Sequence, residues 1–274
     1  MDKLEGAAES AIIWFKNNGM KLNSDKCHLL VCGHKYEHMI CSIDDTKVIE
    51  SHIVKLLGIT IDSELKFNHH INSICKKASS KLNALSRQCA ILPFYNRKML
   101  MQAFFSSQFA YCPLVWMFCS RKMNTKINRL HFRALRIVPQ DETSTFEELL
   151  HKDGSITIHH KNLQLLATEL FKVFNGLSPT FMRNIFTGNS NLDTGNVSAG
   201  TRSKSTFYNP VNPKTTNYGI ETLRNIGPKI WDMVPNDIKS ATSVTIFKSK
   251  IKQWVPIKCP CRLCANFISN IGYV

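Results

Sequence analysis

The chain of 274 residues is 43% hydrophobic and 20% charged, enough apolar side chain to build a core, which excludes wholesale disorder. Lys and Arg number 35 against 20 Asp and Glu, leaving +15, a balance wrong for an acidic scaffold and right for a polyanionic partner such as nucleic acid or an anionic membrane. The excess is local: residues 1–64 hold 7 basic and 10 acidic side chains, 65–140 hold 13 and none, and 141–274 hold 15 and 10. An acid-free stretch rich in Leu, Ile, Phe and Met reads as a folded module of one sign, because a basic tail would lack apolar anchors.

In chain order, Leu4 to Asn17 predicts an amphipathic helix with Leu4, Ala7, Ala8, Ala11, Ile12 and Phe15 on one face, stopped by Asn18-Gly19. Short apolar runs follow at Cys27 to Cys32, Met39 to Ile43 and Ile53 to Ile61, the spacing of an antiparallel meander. From His69 the period changes. Ile71, Ile74, Cys75, Ala78, Leu82, Leu85 and Cys89 form one stripe of a long helix, with Lys76, Lys77, Lys81 and Arg87 largely off it. Pro93 ends that helix, Asn96 can cap a second through Tyr111, and Asn124 can cap a third with Ile127, Leu130, Ala134, Leu135 and Val138 inward. Lys126, Arg129, Arg133 and Arg136 decorate the third. Two further helices are predicted at Thr145 to His151 and Ile158 to Asn175. A loose linker is predicted at 187–217, with apolar anchors returning from Ile220 to Trp254 at Ile230, Trp231, Val234, Ile246, Phe247, Ile251 and Trp254.

The fold class expected is α+β. Domains are expected at 1–68 (small antiparallel sheet), 69–140 (basic helical module), 141–186 (helical extension), 187–217 (linker) and 218–274 (C-terminal segment with a cysteine cluster). Scattered cysteines without an N-terminal signal segment point to reduced thiols in an intracellular protein, nuclear or cytoplasmic. The longest apolar run, Ala110 to Cys119, is about half of a membrane span and contains a proline, so no membrane partner is expected. The sequon Asn196-Val197-Ser198 carries no weight without secretion.

Three constellations could carry chemistry. Asp44-Asp45 could hold magnesium, with Asp62 as the nearby third carboxylate, but an acidic hairpin turn explains the pair as well. Cys259, Cys261 and Cys264 (CxCxxC) could present three thiolates to zinc; no fourth ligand stands nearby, and a reduced, partly buried cysteine cluster is the alternative. The histidine pairs His69-His70 and His159-His160 fall at predicted helix starts and read as surface or capping residues. The acid-free helices are the third constellation. Their cations can neutralise phosphates in a sequence-tolerant, salt-sensitive way, against the alternative of a merely solvated basic surface. No dinucleotide-binding, P-loop, zinc-protease or serine-hydrolase signature occurs.

Three stretches in order resemble the reverse transcriptases of non-LTR, LINE-type retrotransposons, the jockey-like group in particular. Trp14 to Cys27 (WFKNNGMKLNSDKC) is similar to the palm segment after that family's catalytic hairpin. Val54 to Asp62 with Leu65 to Ile71 is similar to the primer-grip hairpin leading into the thumb. Gly227 to Pro235, Phe247-Lys248 and Cys259 to Cys264 are similar to the segment after the thumb, and Tyr111 to Trp116 fits the thumb between.

The resemblance implies the end of a polymerase palm, a helical thumb and a C-terminal extension. It makes Lys26 a residue on the pyrophosphate side, and Leu57, Gly58 and Ile59 the primer grip. The acid-free helices supply the expected phosphate contacts on RNA or an RNA–DNA hybrid: Lys76, Lys77, Lys81, Arg87, Arg129, Arg133 and Arg136. The family's aromatic-x-Asp-Asp box should precede residue 1, and Asp44-Asp45 falls too late to be it. No catalytic residue and no polymerase activity are therefore expected of this chain, and magnesium belongs only to the complete parent enzyme. The alternatives are completion in trans by an upstream polymerase fragment, a basic protein-interaction module, and a decayed element without function.

Overall fold

The computed structural model describes residues 2–33, 39–43, 46–187, 213–256, 261 and 263. The Asp44-Asp45 pair, the Asn196 sequon, most of the expected linker, Cys259 and Cys264 lie outside them. The protein is α+β, mostly helical, with two separate two-stranded antiparallel sheets. It divides into two units, Met1–His70 and Ile71–Val274.

In the first unit, α1 (Asp2–Asn17) ends where Asn18-Gly19 predicts: Gly19 takes φ 69°, and the Met20 N–H donates to the Phe15 carbonyl at 2.9 Å. Its apolar face is less buried than the periodicity implies. Ile12 is buried and Ala8 and Phe15 are half-buried, but Leu4, Ala7 and Ala11 are exposed, as are Ile13 and Trp14.

The expected meander is instead two hairpins. β1 (Ile40–Ile43) pairs with β2 (Thr46–Ile49), placing Cys41 opposite Val48 over a small core completed by Leu29. Cys27 to Cys32 adds only a bridge from Leu29 to Glu50. The run Ile53 to Ile61 splits into β3 (Ile53–Leu56) and β4 (Ile59–Asp62), because Leu57 and Gly58 both take positive φ, 46° and 87°, and close a two-residue turn. Such turns match the right-handed twist of paired strands. After β4 the Asp62 carboxylate accepts from the N–H groups of Lys66 (3.0 Å) and Phe67 (2.7 Å), fixing a loop in which Leu65 and Phe67 have positive φ.

The second unit is helical. All seven predicted stripe residues of α2 (Asn68–Gln88) and its end are at most 9% exposed, from Ile71 to Cys89. α3 (Phe94–Phe104) starts after Pro93, so Asn96 lies inside it and caps nothing. The helix stops at Phe104, short of the predicted Tyr111. A 3-10 turn, Ser106–Phe109, leads to α4 (Pro113–Trp116), entered through Cys112 at φ 43°. α5 (Arg121–Ile137) is capped by Ser120, whose hydroxyl accepts from the Met123 N–H; Asn124 is one turn inside and buried. The amphipathic pattern extends back through Arg121, and Ser120 has the extended backbone an N-cap needs.

α6 (Phe146–Asp153) carries a full capping box between Thr145 and Glu148, and α7 (Ile158–Phe174) is capped by Thr157. α8 (Thr180–Thr187) restarts after Pro179, and α9 (Leu223–Met233), α10 (Asn236–Lys239) and α11 (Val244–Ile251) follow. Segments expected as successive domains share one core: Met117, Leu170 and Phe171, Ile230 and Phe247 belong to a single cluster. Phe247 stacks on Phe171 at 4.4 Å between ring centroids, while Ile246 beside it is exposed. Gly227 in α9 permits close packing, since a Cβ there would lie 3.0 Å from the Phe186 ring.

Candidate nucleic-acid interface

α5 carries Lys122, Lys126, Arg129, Arg133 and Arg136 at steps of four, three, four and three residues. At helical spacing these fall along one edge, over about 21 Å of helix axis at 1.5 Å per residue. The opposite face is buried through Met123, Ile127, His131, Ala134 and Leu135. No acid stands in the first turn, so the positive end of the helix is not offset locally.

α2 lies beside this edge. Lys126 Nζ donates to Asn72 Oδ1 at 2.6 Å, Arg133 Nη2 donates to Asn83 Oδ1 at 2.7 Å, and Cys89 Sγ lies 3.5 Å from the Ile137 carbonyl oxygen. The partner numbers rise together, so the two helices run in the same direction. Asn72, Lys76, Asn83 and Arg87 share one edge of α2 at steps of four, seven and four. The structure therefore groups Lys76 and Arg87 with Arg129, Arg133 and Arg136. Lys77 and Lys81 lie on the other flank of α2, with Lys81 Nζ 5.9 Å from the centre of the Phe104 ring.

The two bracing acceptors are neutral amides. Elsewhere in this unit lysines meet carboxylates, as in Lys98–Asp153 and Lys152–Asp141 at 2.8 Å and Lys172–Glu169 at 2.7 Å. Among the described residues no cation of the two rows pairs with a carboxylate, so the braces fix side-chain positions while leaving the charge intact. Arg136 is engaged differently. Its guanidinium donates to the carbonyls of Asp141 (3.3 Å) and Glu142, and its carbon sits 5.4 Å from the Phe132 ring centre, tying down the loop after α5. That loop is also held by Asp141, whose carboxyl lies well below the usual range because Lys152 and Ser144 donate to it. A cleft of about 490 Å³ lies between the ends of α2 and α5, lined in part by Ser86, Arg133, Arg136 and Gln140.

Sequence reasoning named Lys126 among the decorating residues but left it and Lys122 out of the phosphate-contact set, although their spacing continues the Arg129–Arg133–Arg136 row. It also missed Asn72 and Asn83, whose role exists only once α5 is beside α2. Cys75, under the row, is pushed up to about 11 by burial, against the lowering effect of Lys126, and stays a thiol at neutral pH.

In the first unit, Lys26 is exposed at the end of a 3-10 turn, Ser24–Lys26. Leu57, Gly58 and Ile59 play different parts. Leu57 is the hairpin tip at 82% exposure, Gly58 completes the turn, and Ile59 is buried. Asp62 is committed to the backbone of the following loop.

The histidine pairs divide: His69 is exposed as expected, whereas His70 and His159 are buried, His160 is half-buried, and Thr157 caps α7 instead. His70 is buried, with Nδ1 accepting from the Thr60 N–H at 3.3 Å. His159 is buried with Nε2 3.3 Å from the Sγ of buried Cys261. Among the described residues no group of three or more side chains suited to a metal ion occurs, and no helix is long and apolar enough to cross a membrane. Comparison with protein-family models, curated proteins and solved structures gives no match.

Proposed function

We propose that the protein is the downstream part of a LINE-type reverse transcriptase, in which the α2–α5 rows grip the phosphate backbone of RNA or an RNA–DNA hybrid. The carrying observation is the pair of parallel cation rows braced by Asn72 and Asn83 rather than by carboxylates. Guanidinium groups held in place lose less freedom on meeting a phosphate and can bind it through two N–H groups. Contacts of this kind position a strand without reading bases, so binding is tolerant of sequence and falls steeply with salt.

In this reading the segment to Asp62 is the end of a palm, and the exposed Leu57-Gly58 tip, its leucine in a left-handed conformation that costs free energy, meets the primer strand. Nucleotide addition draws its magnesium-holding carboxylates from an upstream palm. The apolar side chains Leu4, Ile13, Trp14, Ile49 and Leu56, all exposed in the first unit, offer a surface that such a palm would cover.

The test is fluorescence anisotropy of a short RNA–DNA hybrid with the full chain and two variants at fixed salt. Arg129→Glu with Arg133→Glu weakens binding by about 100-fold or more, as two lost contacts and two new repulsions require. Lys248→Glu, an exposed cation on α11, changes it by about threefold or less. Equal losses in both variants, or equal affinity for polyglutamate after charge matching, would overturn the reading.

A further inference from the structure

We propose that a cavity bounded by α3, α5, α7 and the loop joining α6 to α7 binds a phosphoryl dianion, free or carried on a small molecule, through Lys161, Lys252, Ser155 and His131. The inference is independent of nucleic-acid binding. The cavity, of about 330 Å³, is lined from α5 by His131, which belongs to the buried face of that helix and not to its row of cations. Gly154 at φ 65° turns the chain out of α6 into the short loop that supplies Ser155. Gln164 Nε2 donates to the carbonyls of Lys252 (3.1 Å) and Trp254 (2.8 Å), which brings the chain after α11 to the same place.

The charge there has one sign. Asp153 is the one carboxylate among the described residues of the lining, and Lys98 takes it at 2.8 Å. Lys161 and Lys252 pair with no carboxylate among the described residues, so two positive charges are left over. The first turn of α7, which the loop enters through Thr157, holds no acid either, and the positive end of that helix adds to the field. Lys161 is pushed down from its ordinary range, first by burial and against the raising effect of Asp153. An ammonium that is desolvated without a counterion is stabilised by an anion that supplies one.

Two uncharged groups of the lining also lack partners. His131 is 3% exposed, and neither its buried Nδ1 nor the buried hydroxyl of Ser155 has a hydrogen-bond partner. Buried polar groups are satisfied in the great majority of cases, so two orphans in the lining of one cavity point to a missing ligand. At neutral pH the His131 ring is uncharged, because burial and then Lys161 hold it down to about 4. A neutral imidazole can carry its single proton on Nδ1 and donate it to an oxygen.

Two ammonium groups, a hydroxyl and an imidazole N–H together call for a dianion with several acceptor oxygens. A phosphoryl group brings a charge of about −1.5 to −2 and three such oxygens. A carboxylate brings one charge and two oxygens. Met101 and Ile156 give the cavity apolar wall, and its volume falls in the range of small-molecule sites, about 300–1,000 Å³, which accommodates a small organic part beside the phosphoryl group.

The experiment titrates the full chain by calorimetry at neutral pH and constant ionic strength with inorganic phosphate, ribose 5-phosphate and acetate. Phosphate is expected to saturate with a Kd of about 1 mM or below, and acetate to bind about 10-fold more weakly or worse. Tighter binding of ribose 5-phosphate than of phosphate assigns the site to an organic phosphate, and the reverse order assigns it to the free ion. Lys161→Gln should weaken phosphate by about 10-fold or more and Ser155→Ala by about 3-fold to 10-fold, whereas Lys248→Gln on α11 should stay within about twofold. Ser155→Ala removes a hydroxyl without a partner, so it breaks no bond that the fold needs. In ¹⁵N spectra of the imidazoles of the unaltered chain, His131 Nδ1 should shift along the same saturation curve. No saturation by about 10 mM phosphate, unaltered affinity in both variants, or a His131 resonance that does not move would overturn the site.

Discussion

The two units of the molecule differ in what they do with apolar side chains. In the first, Ile12, Leu29, Cys41, Val48 and Ile59 are the buried hydrophobic residues among those described, while nine large ones from Leu4 to Leu57 are exposed. In the second, α7 alone buries Leu163, Leu166, Ala167, Leu170, Phe171 and Val173, and the aromatic rings of α7, α9 and α11 stack on one another. Two-stranded hairpins are marginal alone because they have too little face to bury. A helical core with a stacked centre can instead hold a fixed charged surface at its edge. The difference assigns stability to the second unit and leaves the first dependent on what covers it.

Core truncation breaks this comparison most sharply. Phe247→Ala, at a residue with no exposed surface, should cost the second unit about 3–5 kcal/mol. Val48→Ala should cost the first only about 1.5 kcal/mol from its two lost methyl groups. Denaturant unfolding of the full chain, followed by hydrogen exchange resolved along the sequence, measures both; equal costs would erase the distinction.

Acid should act on the second unit next most strongly. His131, stacked on Phe105 at 5.6 Å, is pushed down to about 4, first by burial and then by Lys161, against the raising effect of Asp153. The unfolded imidazole binds a proton near pH 6.5 and the folded one does not, so stability is complete above pH 6.5 and is lost as pH falls towards 4. The loss is on the order of 2–3 kcal/mol. His160, also pushed down to about 4 by burial, adds to the same window. His131→Phe, which strands no partner of the unpaired Nδ1, should remove His131's share of the slope in a pH series of denaturation midpoints. An unchanged slope would mean that His131 titrates alike in both states.

Smaller effects sharpen the comparison. Gly227→Ala should destabilise the second unit by about 1–2 kcal/mol despite alanine's helix propensity, because the methyl presses on Phe186. Leu57→Asn should stabilise the β3–β4 hairpin by about 0.5–1 kcal/mol, since asparagine tolerates the left-handed backbone better. Hydrogen-exchange protection at the Leu56–Ile59 pair reads the second effect.

The sequence was most legible where a pattern is local. The α2 stripe and the short helix expected from Thr145 follow from residues within a few turns of one another. The caps assigned to Asn96 and Asn124 failed because helix starts depend on backbone geometry at Pro93 and Ser120, and propensity alone does not choose between neighbouring candidates. The meander failed because Leu57-Gly58 reads as part of an apolar run, although it turns the chain. The basic row of α5 was readable from its spacing, but its braces to Asn72 and Asn83 span about fifty residues, and no spacing rule reports them. The His159–Cys261 contact is hidden for the same reason.

Whether the α2 and α5 rows hold a nucleic-acid backbone is tested most directly by the salt dependence of RNA–DNA hybrid binding to the full chain. A log–log slope near −4 to −6 is expected if about five to seven cations of the two rows meet phosphates, at about −0.7 to −0.9 per contact. Arg129→Glu with Arg133→Glu should then flatten the slope by about 2. Binding whose slope is near zero, or whose slope is unchanged in the double variant, would contradict the claim that these rows hold the nucleic-acid backbone.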